Sequence, residues 1–278
     1  LTRSHSAWLL NSGGNTESGE TLFSSTSKPG TDAALAASDR HGDETGVFAG
    51  TWIGGLVSDG SQITYARWTT ASDGSVVKSG LWRLSGSKAT LIASGTGAVV
   101  AAAADAGRVA LLRTDGSVAV YAGSGELLER IDGAAPPCTS SQPGPPATGC
   151  PGEGVALTGK LVAVLTPSQP GRQAGSIEVF DRTTGELLHT WPHVGGYAWQ
   201  FDAYRGIAVY ARGARVHALD LGSGRDVVVA TRNRTIQAAR FDRAGLLYGV
   251  NGPWSARRGQ SGTLFFVPLK TVAARLGH

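Results

Sequence analysis

Apolar runs of four to seven residues, separated by turns rich in Gly, Asp, Ser and Thr, recur along the whole chain. Residues 98–131, AVVAAAADAGRVALLRTDGSVAVYAGSGELLERI, hold four such runs. The plan returns in residues 154–191, with runs at Gly154–Thr158, Leu161–Leu165, Ile177–Phe180 and Glu186–Trp191. Residues 197–230 carry it again as YAWQFD, GIAVYAR and RVHALDLGSGRDVVVA, and residues 52–94 from WIGGLVSD to ATLIAS. Residues 235–275 make a further copy, TIQAARFD, GLLYGVN, TLFFVPL and KTVAARL, the last run read as a fourth strand. Runs of this length at turn spacing predict one up-and-down antiparallel sheet per copy.

A small sheet of this kind cannot bury both faces alone. A ring of sheets packed face to face completes the core, at about 40 to 45 residues per unit, so the expected fold is an all-β propeller of four-stranded antiparallel blades. The first strands support it: Gly54, Gly55, Ala101 to Ala104, Ala156, Ala238 and Ala239 have the small side chains that strands crowded beside an axis require. Before residue 52, SAWLL, ETLFSS and DAALAAS fit the second to fourth strands of one more blade, whose first strand is missing, as after truncation at the N-terminus or in an incomplete blade. The expectation is one domain over 1–278 with six blades, at about 1–38, 52–94, 98–132, 153–192, 197–231 and 235–276, with seven as the alternative.

The segment DRTTGELLHTW at 181–191, echoed by LDLGSGRDV at 219–227 and YAGSGELL at 121–128, resembles bacterial β-propellers of the PQQ-like, YVTN and WD-repeat group. Their blades often read strand, Asp, turn, Thr-Gly, strand. The resemblance spans about 225 residues as a repeat plan. Quinoprotein dehydrogenases of that group place a Trp after the turn in most blades, whereas here only Trp191 does so.

Composition narrows the partners. No apolar run approaches the roughly 18 residues of a membrane span, the longest being Ala98–Ala104. The opening Leu1-Thr2-Arg3 reads as a mature form or a fragment. The net charge of +4 divides unevenly, with 13 Lys/Arg against 17 Asp/Glu in residues 1–196 and 12 against 4 in residues 197–278. Cys138 and Cys150 flank a Pro- and Gly-rich stretch, which points to a disulfide, with free thiols or a metal site as alternatives. A disulfide implies an oxidising compartment: secreted, periplasmic or cell-surface.

Candidate chemistry lies in the loops joining one blade to the next and second strands to third, which share one face and include 38–51 and 251–262. The long loop 38–51 contains Asp39, His41, Asp43 and Glu44, enough hard ligands for Ca²⁺ or an acid/base pair, or else a solvated acidic loop. Trp199, in WPHVGGYAWQ, either stacks on a flat ligand or fills the space between blades. Arg232, Arg234, Arg257 and Arg258, with Trp254 beside them, suit an anionic ligand or acidic partner, or form a solvated basic rim. His217 alternates with Val216 and reads as structural. No GxSxG is present and no nucleic-acid motif accompanies the Arg residues. The expectation is therefore a non-enzymatic extracytoplasmic binding module without a cofactor, whose partner is a protein, a glycan or an anionic ligand. The alternative is a hydrolase or lyase on a carbohydrate or lactone, with its metal or acid site at residues 39–44.

Overall fold

The structure, a computed structural model, describes residues 5–11, 20–26, 32–37, 40–42, 48–58, 63–71, 75–85, 88–138, 154–166, 175–194, 201–241, 244–255 and 259–278. Side chains are described within these from residue 57 onward, except at 58, 70, 85, 88, 193, 194, 251–255 and 259–261. The chain divides into two compact units, Leu1–Pro151 and Gly152–His278.

The first unit holds three antiparallel sheets. Strands β1 (His5–Asn11), β2 (Glu20–Thr26) and β3 (Asp32–Ala37) form the first. The second runs in order through β4 (Arg40–Gly42), β5 (Phe48–Ser58), β6 (Ile63–Thr70), β7 (Val76–Ser85) and β8 (Lys88–Ser94). The third has β9 (Val99–Asp105), β10 (Arg108–Arg113), β11 (Val118–Ala122) and β12 (Leu127–Ile131). Part of the expected 38–51 loop is thus a strand, because β5 starts early enough for Arg40, His41 and Gly42 to pair with Gly50, Ala49 and Phe48. The β9–β10 connection is the two-residue turn Ala106-Gly107, both at positive φ (47° and 75°), the geometry whose twist suits a tight hairpin. Strand β5 lies against β9. Ala66, Trp68 and Leu81 of the second sheet pack on Val99, Val109, Leu111, Ala119 and Tyr121 of the third.

The second unit repeats the arrangement. Its fourth sheet is β13 (Gly154–Thr158), β14 (Leu161–Thr166), β15 (Gly175–Asp181) and β16 (Leu187–Val194). The fifth is β17 (Phe201–Tyr204), β18 (Ile207–Arg212), β19 (Arg215–Asp220) and β20 (Asp226–Thr231). The sixth has β21 (Ile236–Phe241), β22 (Gly245–Ser255) and β23 (Gly259–Pro268). First strands meet first strands, β13 against β17 and β17 against β21, where Ala156, Ala203 and Ala239 are buried. Alternate residues of the fifth sheet serve opposite neighbours. Tyr210 and Leu219 join Ile177 and Val179 of the fourth sheet, whereas Val209 and Ala218 join Leu246 and Tyr248 of the sixth. Each buried Leu, Ile or Val contributes on the order of 1.5–3 kcal/mol.

The expected fourth strand of the last copy is a helix, α1 (Leu269–Leu276). Lys, Ala, Arg and Leu are good helix formers, and Val272 and Leu276, four apart, are both buried against Val216, Ala218 and Val229. Pro268 at φ −55° precedes the helix, and Gly277 at φ 85° ends it.

Candidate functional site

The fifth sheet carries a polar node. A hairpin turn at Gly213-Ala214 pairs Arg212 with Arg215, so Tyr210 on β18 stands opposite His217 on β19. Their rings stack at 4.8 Å with 16° between planes. At the start of β20, the Asp226 carboxylate accepts the Tyr210 hydroxyl proton on Oδ2 at 2.5 Å and lies 3.1 Å from His217 Nδ1 on Oδ1. Burial alone would push the Asp226 carboxyl up, but the hydrogen bonds from His217 and Tyr210 hold it below the usual carboxylate range. An ionised carboxylate can only accept, so Nδ1 of His217 carries the proton. The Tyr210 hydroxyl is raised well above its ordinary value, first by burial and then by its bond to Asp226 and that carboxylate's charge. Among the described residues, buried Nε2 of His217 has no hydrogen-bond partner.

Facing the sixth sheet, Asp202 on β17 accepts the Ala203 N–H on Oδ1 and the Phe241 N–H on Oδ2, both at 2.8 Å. Its carboxyl is raised because burial outweighs the Arg240 charge and these two bonds. Nη1 of Arg240 donates to the Phe201 carbonyl at 2.5 Å, tying β21 to β17 a second time. These groups join sheets.

The sequence candidates fall in two places. Arg232 lies in the connection from β20 to β21, its guanidinium 4.0 Å from the Phe265 ring centroid and 5.1 Å from that of Tyr248. It therefore helps to pack the sixth sheet. Arg234 is exposed in the same connection. Ile236, where β21 begins, pairs with Val250, and the β22–β23 hairpin continues past that point through Asn251↔Gly262, Trp254↔Gln260 and Ser255↔Gly259. The register thus brings Arg232, Arg234 and the Trp254 backbone to one end of the sixth sheet, where sequence reasoning placed the loop face. Much of the expected 251–262 loop is hairpin, since the strand pairing simply continues. Arg257 and Arg258 lie outside the described residues, as do Trp199, Asp39, Asp43, Glu44 and Cys150. His41 is placed by its backbone in β4, opposite Ala49. Cys138 ends the third sheet's trailing turn, its N–H donating to the Thr114 carbonyl at 2.8 Å.

The sequence reading missed Tyr210, Asp226 and Asp202. The available signal was hairpin arithmetic: a turn at 213–214 makes 210 and 217 partners, placing two rings on one face.

No protein-family model and no curated protein matches the chain. Solved structures do resemble it. Saccharomyces cerevisiae Sqt1 gives 11% identity and a TM-score of 0.48, over 94% of this chain and 88% of that one. A chain of a nidogen/laminin complex gives 13% and 0.49, over 96% and 90%. A chain of a mitotic checkpoint complex gives 12% and 0.53, over 95% of this chain and 76% of that one, and it bears on the fold. The fold is a β-propeller. In the second unit each sheet is an up-and-down meander whose first strand meets the first strand of its neighbour, as β13, β17 and β21 do.

Proposed function

We propose that this propeller is a non-enzymatic interaction module that works outside the cytoplasm. Its loop-bearing end would engage a protein, a glycan or an anionic ligand. The observation that carries this reading is the shared end of the sixth sheet, where the Arg232–Arg234 connection and the outer β22–β23 hairpin with Trp254 emerge together. The basic excess of residues 197–278, 12 Lys/Arg against 4 Asp/Glu, suits an acidic partner. The mitotic checkpoint chain that shares the fold comes from a structure of a complex, which agrees with an interaction role. Within the propellers, the Asp181–Trp191 turn supports a place near the PQQ-like and YVTN group.

The test is retention on immobilised heparin and on an acidic-peptide array. Replacing Arg234, Arg257 and Arg258 together by Ala should lower the salt needed for elution; unchanged elution from both surfaces would remove the basic-end reading. The extracytoplasmic placement rests on a Cys138–Cys150 disulfide. Non-reduced peptide mapping should recover the two cysteines as one linked pair, and two free thiols would count against that placement. For the alternative, a hydrolase or lyase using Asp39, His41, Asp43 and Glu44, millimolar Ca²⁺ would raise the Tm.

A further inference from the structure

The second to fifth sheets each end in an outer strand, β8, β12, β16 or β20, but the sixth does not. The chain leaves β23 into α1, which packs against β19, β20, β22 and β23 through Val272 and Leu276. Among the described residues, no strand pairs with the far edge of β23. That edge is 10 residues long, GQSGTLFFVP, without a charge and with Pro only at its end, and its pairing with β22 is regular from Gly262 to Pro268, the register shift lying beyond, between Asn251 and Trp254. Natural edge strands are ordinarily guarded by charges, bulges or brevity, and an unguarded edge offers a row of N–H and C=O groups to an incoming strand. Beside it, Leu264 is 71% exposed and Phe266 49% exposed, with exposed Leu247 opposite Phe266.

The chain itself shows what fits such an edge. Three of the four outer strands carry an acidic residue at or just before their start, followed by apolar neighbours: Glu126-Leu127-Leu128 at β12, Glu186-Leu187-Leu188 at β16 and Asp226-Val227-Val228 at β20, whereas β8 opens on Lys88-Ala89-Thr90. The charge around the sixth sheet agrees. The helix α1, which packs beside β23, carries Lys270 and Arg275, both exposed, and no acidic residue.

We propose that β23 is a strand-addition site for an extended, acidic segment of a partner protein, patterned like the chain's own β12, β16 and β20. Backbone bonds to β23 supply the pairing, and apolar side chains cover Leu264 and Phe266. The surrounding cations favour negative charge on the partner. The Thr263–Val267 stretch lies farther along β23 than Gly259–Gly262, which belong to the loop-bearing end, and pairing there does not depend on that end.

The probe is a fluorescent synthetic peptide with the sequence of residues 124–132, SGELLERID, titrated into the full chain at low salt. Saturable binding is expected, weakened about tenfold or more when both peptide glutamates are lysines. Hydrogen exchange of the Thr263–Val267 amides should slow when the peptide is bound. Replacing Leu264 and Phe266 together by Glu should weaken binding by about tenfold or more, whereas the triple Ala variant at Arg234, Arg257 and Arg258 should keep it. Should the double Glu variant fail to fold, the exchange pattern of the unaltered protein decides. The proposal is overturned if those amides gain no protection, if the lysine peptide binds equally well, or if the triple Ala variant loses the peptide. It is also overturned if the amides are already protected in a dimer seen by sedimentation, because a second copy then fills the edge.

Discussion

At the scale of single residues, the turns before the outer strands do more than reverse the chain. In the fourth and fifth sheets, Asp181 Oδ1 accepts the N–H groups of Thr183 and Thr184, and Asp220 Oδ1 accepts those of Gly222 and Ser223. The glycine that closes the second of these turns, Gly224, has φ +73°, and a Cβ there would fall 2.3 Å from the Trp191 ring on β16. Gly125, at the matching place in the third sheet, would clash with the Ile92 carbonyl on β8. Each glycine thus seats its turn on the outer strand of the preceding sheet. Gly224→Ala should cost roughly 1–2 kcal/mol from the left-handed backbone alone, and more from the clash. In a denaturant-melt double-mutant cycle, Trp191→Ala should reduce that penalty, since it removes the obstacle; strict additivity would count against the seating.

The polar node makes its own predictions. Tyr210→Phe removes a buried hydroxyl bonded to a charge, and should cost about 1.5–3 kcal/mol in urea unfolding. Asp226 has a depressed folded value, so its contribution is present above the ordinary carboxylate range and is lost as pH falls through the folded value. With one of its bonds gone, Tyr210→Phe should shift acid destabilisation to higher pH, and an unmoved acid limb would show that the hydroxyl does not tune Asp226. Asp202 behaves with the opposite sign. Its raised value gives stability that is present at low pH and lost as pH rises through the folded value, so Asp202→Asn should flatten that part of the profile.

Among the elements, α1 is the departure from the repeat. The segment KTVAARL fits either period over so short a run. Helix formers and the Val272–Leu276 spacing favoured a helix, whereas the repeat plan favoured a strand, and burial against β19 and β20 decided it. Nη1 of Arg275 then donates to the Val228 and Val229 carbonyls at 3.0 Å, covering part of the β20 edge. Leu276→Ala should lower stability by about 2–5 kcal/mol, as for a fully packed Leu, and Arg275→Ala by less. If thermal melts gave the reverse order, the helix would be held mainly by its polar contact. The other strands were legible because turns and apolar runs alternate wherever a sheet is buried on both faces. The β4–β5 hairpin and the outer β22–β23 hairpin were not, because RHG and GPWS carry no alternation that marks a strand.

For the whole molecule, the repeat plan carried the fold, while the site was legible only as composition. Arg232 was singled out for its charge, yet its neighbours Tyr248 and Phe265 come from strands β22 and β23, a pairing that no local spacing displays. Asp202 and Phe241 lie 39 residues apart and meet only because β17 packs on β21. Long-range groups of this kind follow from sheet stacking, which a reading of one strand at a time does not contain. The same asymmetry appears in charge, since residues 1–196 are acidic on balance and residues 197–278 basic. Binding to an acidic surface should therefore weaken with salt and reside in the second unit, a result that hydrogen-exchange mapping of Gly152–His278 would check.

The seating of Gly125 on Ile92 and of Gly224 on Trp191 also has a direction. In both cases the later sheet rests a turn on a strand that leaves the ribosome before it. The floor is therefore available when the turn emerges, and each seat can close during translation without waiting for downstream chain. A circular permutant opened between the two members of such a pair would reverse that timing for one seat. It would then hold the same native contacts while exposing an unseated sheet throughout synthesis.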